Sequence, residues 1–352
     1  MSQNKVLRKT FDYHNFVRCE QRWIFSGLRL TGDAGAHAHA EDDDATDSFE
    51  ADIVAGLSAQ QKNTLPKYFY DEAGSALFEE ICATPEYYVT RVETALLQSV
   101  AAELARSIPR DTVLVEFGSG ASDKTRQLLD AAPQISTYVP IDISPEALQQ
   151  AVARLSHDYP RLEMMPLAED FTRAVKLPPK LEHAPRVGFF PGSTIGNFTP
   201  AEAMRFLRSV RSLLGTGSSL IIGVDMIKDP ATLLAAYDDA LGVTARFNKN
   251  LLTRINRELG GDFDAQAFDH RAVWNAQLER MEMHLVSLID QLVHVAGHSF
   301  TFKAGEQLHT ESSHKFSVMS FGALACSAGW SINRYWLSPT PRFAIFSLTS
   351  PV

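Results

Sequence analysis

Residues 113–122, VLVEFGSGAS, run an apolar strand into a carboxylate, Glu116, and then break at Gly118 and Gly120. A buried strand that ends in an acid and a glycine turn brings backbone close to a ligand. Two ligands suit such a turn, a dinucleotide pyrophosphate or S-adenosylmethionine. In a dinucleotide turn the third glycine lets the helix pack closely on the strand. Here that position is Asp123, which is unfavourable for the packing and for a neighbouring pyrophosphate. S-adenosylmethionine has no phosphate and carries an ammonium at its amino-acid end, which suits Glu116 and the backbone of Gly118 and Gly120. The next strand ends in Asp142, where α/β nucleotide sites place a carboxylate on ribose hydroxyls. Asp170 and Phe171 follow the third strand region, an acid and an aromatic that can hold adenine. One E-x-G-x-G is only a strand, a turn and a helix. Three elements at this spacing point to methyl transfer.

The elements that must position these residues are visible around them. The 352 residues suit one large α/β domain or two joined ones. From 92 to 226 helical and buried-strand patterns alternate. A helix over about 93–107 precedes VLVEF. Ser122 caps the next helix, and TYVPID is followed by a helix that Ser144 caps and Pro145 begins. After RVGFFPG, Thr199 caps a helix and Glu202 completes a capping box, and SLIIGVD is a further buried strand. This alternation predicts a parallel, doubly wound, Rossmann-like sheet. Residues 228–282 read as mostly helical. From MEMHLV to ESSHKF the period is two, which predicts antiparallel strands in a second, α+β part that shapes a substrate pocket. WLSPTPRFAIFSLTS predicts a strand pair rejoining the sheet. Residues 1–48, which include TGDAGAHAHAEDDDATD, predict a disordered acidic extension.

Composition argues against several functions. A net charge of −9 opposes broad contact with nucleic acid or an anionic membrane. Cys19, Cys82 and Cys326 lie far apart without a CxxC pair, so neither a disulfide framework nor a zinc site is expected. A reducing cytoplasm is the simplest setting. No apolar run reaches the roughly 18 residues of a membrane span, and the N-terminus has no apolar signal core. His294 and His298 have H-x-x-x-H spacing, but Gly297 and the strand pattern argue against a metal-binding helix. His37 and His39 beside Asp42, Asp43 and Asp44 read as a solvated tail. No metal is expected.

Longer stretches are more specific. LPKYFYDEAGSALFEEI, PEYYVTR, EFGSGASDKTRQLLDA, GSTIGNFTP, DMIKDPATLLAAYDDALGVTARFNKNLLTRINRELGGDF and ESSHKF occur in this order within about residues 50–350. Together they resemble the histidine Nα-methyltransferases of ergothioneine biosynthesis. The resemblance implies a class I methyltransferase fold and trimethylation of the α-amino group of L-histidine to hercynine. It also implies a division in which 92–227 and 317–352 bind S-adenosylmethionine while 49–91 and 228–316 bind the substrate. It carries cofactor contacts onto Gly118, Lys124, Asp142, Asp170 and Phe171. It carries substrate contacts onto Tyr87, Gly192, Asn197, Tyr237, Met283, Glu311 and Ser313. Ser193 departs from the family's second glycine and alters the loop beside Asn197, and after 317 the likeness is loose.

By residue type alone several of these have plainer readings. Asn197 is a turn former, Tyr237 half-buried helix packing, Met283 core, and Glu311 and Ser313 surface residues of an edge strand. With the resemblance, Asn197 and Tyr237 are expected on the substrate carboxylate. Glu311 and Ser313, at i and i+2 on one strand face, would satisfy both imidazole nitrogens, and Met283 would be a soft pocket wall. Tyr87 is assigned to the site and Tyr88 to packing. In-line methyl transfer needs geometry rather than a covalent nucleophile. The catalytic roles therefore fall to Tyr70 and Tyr87, facing the growing ammonium. The rival readings are an enzyme for another amino acid such as tryptophan, a non-catalytic S-adenosylmethionine-binding regulator, and a Rossmann oxidoreductase. Glu311 with Met283, the complete pocket set, and Asp123 speak against them in turn. A cytoplasmic monomer acting on a small molecule, without nucleic-acid or membrane contact, is expected.

Overall fold

The computed structural model describes residues 7–9, 49–119 and 123–351. After a short strand β1 (Leu7–Lys9) come three helices, α1 (Phe49–Ser58), α2 (Glu72–Ala83) and α3 (Tyr88–Ala105). An alternating run follows: β2 (Thr112–Phe117), α4 (Asp123–Ala131), β3 (Ile135–Asp142), α5 (Pro145–Asp158), the short β4 (Glu163–Met164) and β5 (Leu167–Ala168), β6 (Arg186–Phe190), α6 (Pro200–Leu214) and β7 (Ser219–Asp225). Next are α7 (Pro230–Tyr237) and α8 (Val243–Leu259), then β8 (Phe268–Asn275), β9 (Arg280–Ser287), β10 (Gln291–Val295), β11 (His298–Phe302) and β12 (Gln307–His314). The chain closes with α9 (Val318–Ser327), β13 (Ser331–Leu337) and β14 (Phe343–Thr349).

The main sheet has the order β1-β13-β14-β7-β6-β2-β3-β4, with β5 also on β3. From β7 to β4 its strands are parallel, and β14, β13 and β1 continue it antiparallel. All six residues of β2 are buried. Val113, Val115 and Phe117 join Val139, Ile141 and Ile222 on one face, while Leu114 joins Tyr138, Phe189 and Ile221 on the other. A parallel sheet covered on both faces needs that continuous apolar run. From β2 the chain moves outward to β3 and β4 and then returns to β6 on the other side. The carboxyl ends of β2 and β6 therefore flank a topological switch point, where open α/β sheets hold their ligands.

The second lobe is an antiparallel sheet β12-β9-β8 with a β10-β11 hairpin, backed by α8 through Phe247, Leu251, Leu252 and Ile255. Its core is continuous with the Leu114 face of the main sheet. The lobes are also stitched by backbone: Phe316, just past β12, bridges Met226, just past β7.

Three expectations are adjusted. The helical reading of 228–282 ends at Leu259, and β8 begins at Phe268 because Phe268 and His270 alternate inward. The boundary at 92 falls within α3, whose stripe of Val89, Leu96, Leu97, Val100 and Leu104 packs as one unit. Each of those residues contributes about 1.5–3 kcal/mol of burial. Within the 1–48 extension, residues 7–9 form an edge strand on β13. The rest of that extension, with Gly120 and Ser122, lies outside the described residues. The Thr199–Glu202 capping box forms as expected. Among the described residues no helix is long and apolar enough to cross a membrane.

Candidate active site

At the end of β2, Gly118 has φ +76°, and the Phe171 ring lies 3.6 Å from where its Cβ would be. A side chain there would be strained and would fill the slot under the aromatic. Asp142, at the end of β3, accepts from the backbone N–H groups of Ser119 and Ser144, each at 3.1 Å. Asp170 Oδ1 accepts from Thr172 N–H and hydroxyl, while its Oδ2 lies 4.0 Å from Lys67 Nζ of the second lobe. The sheet thus brings Gly118, Asp142, Asp170 and Phe171 to one edge.

Glu116 departs from its expected part. It is 1 % exposed, and both oxygens are taken by the hydroxyls of Thr125 (2.8 Å) and Tyr138. Its side chain alternates to the Tyr138 side of β2, so it braces β2, β3 and α4 instead of meeting a cofactor ammonium. Burial pushes its carboxyl up to about 7, against those two hydrogen bonds.

Lys124, in the first turn of α4, donates to Glu93 Oε2 at 2.5 Å. Glu93, buried on α3, also accepts the N–H of Gly192 at 2.9 Å. Its carboxylate presses so closely on β7 that a Cβ at Gly223 would come within 1.9 Å of it. Glu93 therefore ties three segments together. Its signal in the sequence was an acid on the apolar stripe of a helix, four residues after Val89.

The substrate side is assembled from distant pieces. Gly192 and Ser193 both take positive φ, and Ser193 Oγ accepts from the N–H of Asp225 at 2.8 Å. The serine that departs from the family's glycine thus anchors the loop to β7. The 3-10 turn Thr194–Asn197 then packs on β12, where a Cβ at Gly196 would lie 2.7 Å from His314 O and 3.4 Å from Ser313 Oγ. This close approach sets Asn197 beside β12. Among the described residues its amide makes no hydrogen bond. A bulge at Thr310 shifts the register of β12, so that Leu308, Glu311 and Ser313 lie opposite Leu285, Met283 and Met281 on one face. Met283 is buried against that face.

The carboxylate of Glu311, a partly exposed residue, makes no hydrogen bond among the described residues, and desolvation, opposed only by Lys315, pushes it up to about 7. Its charge reaches Tyr70, Tyr87 and Tyr237. The Tyr87 and Tyr237 rings meet at 6.5 Å. Tyr70 is 38 % exposed and meets Phe78 and Phe247 edge-on, while desolvation, with Glu311 among the neighbouring charges, holds the partly buried Tyr87 phenol well above its usual range. Tyr237, expected on the substrate carboxylate, is itself tied into the wall. Its hydroxyl donates to Ser313 Oγ at 2.8 Å and accepts from Lys315 Nζ at 2.9 Å.

Behind this wall lies an ionic cluster that sequence reading missed. Lys315 donates to Tyr237 (2.9 Å), Ser313 (3.0 Å) and Asp225 (3.0 Å). Asp225 also accepts from Tyr88 at 2.6 Å and from Lys228. Tyr88 is thus buried as expected, but it also carries a polar role. Burial alone would raise Asp225, yet Lys315 and Lys228 hold it below the usual carboxylate range. Burial would lower Lys315, but Tyr237 and Asp225 raise it overall, whereas burial dominates at Lys228 and pushes it down to about 8. A usable signal existed: Lys315 is four residues past Glu311, with the parity of Ser313.

On the opposite face of the same sheet, Glu282, His284 and His309 bring ligand-type atoms within 4.8 Å of one another. The two imidazoles stack at 4.9 Å and 25°, so their in-plane lone pairs run side by side instead of converging. Arg280 and Asn275 already donate to Glu282. This arrangement suits a stacked polar cluster. His294 and His298 lie on the two strands of the β10-β11 hairpin.

Residues 49–350 match the family described as histidine-specific methyltransferase, SAM-dependent. A histidine N-alpha-methyltransferase of Mycolicibacterium smegmatis is 42% identical over 309 residues, covering 86% of this chain and 95% of that protein. One of Mycobacterium tuberculosis is 40% identical over 312 residues, covering 87% and 96%. Ergothioneine biosynthesis protein 1 of Neurospora crassa is 33% identical over 196 residues, 54% of this chain and 22% of that longer protein.

Proposed function

The chain belongs to the histidine-specific, S-adenosylmethionine-dependent methyltransferases, and from that premise we propose that it trimethylates the α-amino nitrogen of L-histidine to hercynine, a step of ergothioneine biosynthesis. One observation carries the reading. The Glu311 carboxylate and the Ser313 hydroxyl share one face of β12 opposite Met283 and Met281, an acceptor and a hydroxyl on an apolar wall whose chemistry supports binding of an imidazole.

S-adenosylmethionine, when bound, supplies the electrophilic methyl group. The residues present fit it: Gly118 leaves an uncluttered slot beneath Phe171, Asp142 would accept from ribose hydroxyls, and Asp170 would accept from the adenine amine. Lys124, with one N–H on Glu93, keeps donors for the carboxylate of the cofactor's amino-acid end. The lobe of 49–91 and 228–316, together with the Gly192–Asn197 loop, holds the amino acid. Asn197 donates to the substrate carboxylate beside the Gly192 loop, Glu311 accepts the ring N–H, Ser313 meets the other ring nitrogen, and Met283 packs on the ring. Anchoring both ends of histidine leaves its α-nitrogen lightly held, so it can turn as methyls accumulate. Tyr70 and Tyr87, kept as neutral phenols, accept from its N–H groups and face the developing charge. Mass spectrometry of a reaction with L-histidine and S-adenosylmethionine tests this. Sequential mono-, di- and trimethylated products are expected, and no methylated histidine would overturn the reading.

A further inference from the structure

Lys315 is 2 % exposed and its three N–H donors match three acceptors: Tyr237 Oη, Ser313 Oγ and Asp225 Oδ2. None remains for a ligand, so Lys315 can act on a substrate only through its partners. A serine oxygen has two lone pairs and one proton. At Ser313 one lone pair receives Lys315 and the other receives the Tyr237 hydroxyl at 2.8 Å. The direction of that second bond follows from chemistry, because a phenol is the stronger donor and the weaker acceptor of the two. Lys315 on the phenol oxygen strengthens the preference by polarising the O–H. Ser313 is then full as an acceptor and can meet a ligand only as a donor.

We propose that Lys315 is a specificity-determining positioning residue, which together with Tyr237 turns Ser313 into a donor-only contact and so selects a ring that offers an unprotonated nitrogen. Glu311, two residues earlier on the same face, is acceptor-only when ionised. The pair therefore matches a neutral imidazole, one N–H and one bare nitrogen. An imidazolium, an indole or a pyrrole leaves the Ser313 proton facing either another donor or carbon. The sites that discriminate most strongly are those whose own polar groups are left unpaired by the wrong ligand. Asp225 fixes the arrangement from behind, and Lys228 and Tyr88 keep that carboxylate paired if Lys315 is replaced.

This proposal rests on the histidine reading, and the test separates the two. Wild-type turnover of L-histidine examines the reading. The proposal is examined by inhibition with pyrrolyl-L-alanine, tested as both ring isomers, which keep a ring N–H but lack the acceptor nitrogen. Wild type should bind the better isomer about 10- to 100-fold more weakly than histidine, the size of one unmatched buried donor. In Lys315→Met that gap should shrink to about threefold or less, because Ser313 regains a lone pair and can turn. Affinity for S-adenosylhomocysteine should stay within about twofold. Tyr237→Phe leaves the ion pair intact and should narrow the gap in the same direction, so it carries the test if Lys315→Met does not fold. A gap equal to wild type in a folded variant that still methylates histidine would overturn the proposal, because a purely structural Lys315 would weaken both ligands alike.

Discussion

Strand β2 and the wall on β12 each hold a carboxylate that desolvation pushes up to about 7, and the two are used in opposite ways. Glu116 is fully partnered by Tyr138 and Thr125, and it holds two strands and a helix together. The Glu311 carboxylate is partly exposed, feels the charge of Lys315 and makes no hydrogen bond among the described residues. A partly shielded carboxylate with a raised affinity for its proton and no protein partner is open to a ligand. The comparison separates the brace of a site from its reader. Partners distinguish them where residue type and shifted acidity do not.

The comparison can be broken at Glu311 first, where the largest effect is expected. Glu311→Ala should lower L-histidine turnover by about 10- to 200-fold, roughly 1.4–3 kcal/mol, with the urea midpoint close to wild type. Adding Met283→Val should move the specificity ratio between L-histidine and L-tryptophan toward tryptophan. An unmoved ratio would take both residues out of the ring pocket.

On the cofactor side, Asp142→Ala should weaken S-adenosylmethionine binding by about 1–3 kcal/mol by calorimetry. Unchanged affinity would mean that the ribose is held elsewhere. Glu116→Ala should do the reverse. It strands two buried hydroxyls and costs about 1–2 kcal/mol of folding stability, while cofactor affinity shifts less than about threefold. A binding loss larger than the stability loss would restore Glu116 to the cofactor.

The smallest effect sharpens the contrast through pH. Glu311 holds its proton more tightly in the fold than its ordinary value of 4.5. The stability linked to that proton is complete below about 4.5 and lost as pH rises to about 7. Glu311→Gln cannot ionise, so it should gain on wild type across that window, reaching about 1–3 °C in Tm at pH 8 while losing turnover. A Tm difference that does not vary with pH would show the carboxylate to be well solvated.

Much of the molecule follows from local rules. Residues 113–117 must be buried on both faces, Gly118 must sit in a turn, and Thr199, Pro200 and Glu202 must start a helix. Each of those outcomes depends on neighbours a few residues away, as does the alternation of strand and helix that predicts the switch point at β2. The likeness of ESSHKF and GSTIGNFTP to a known family marks Glu311, Ser313 and Asn197 as one site without saying how they meet. Tertiary structure alone decided that Glu116 turns inward, because the same i, i+2 alternation is compatible with either face. It alone decided that the Tyr237 hydroxyl meets Ser313 and Lys315, because those residues lie 76 and 78 positions apart from it in the chain. The bulge at Thr310 belongs here too. One extra residue reverses which side chains of β12 look inward, and the cross-strand register with β9 that sets it is formed by segments a turn, a hairpin and a loop apart.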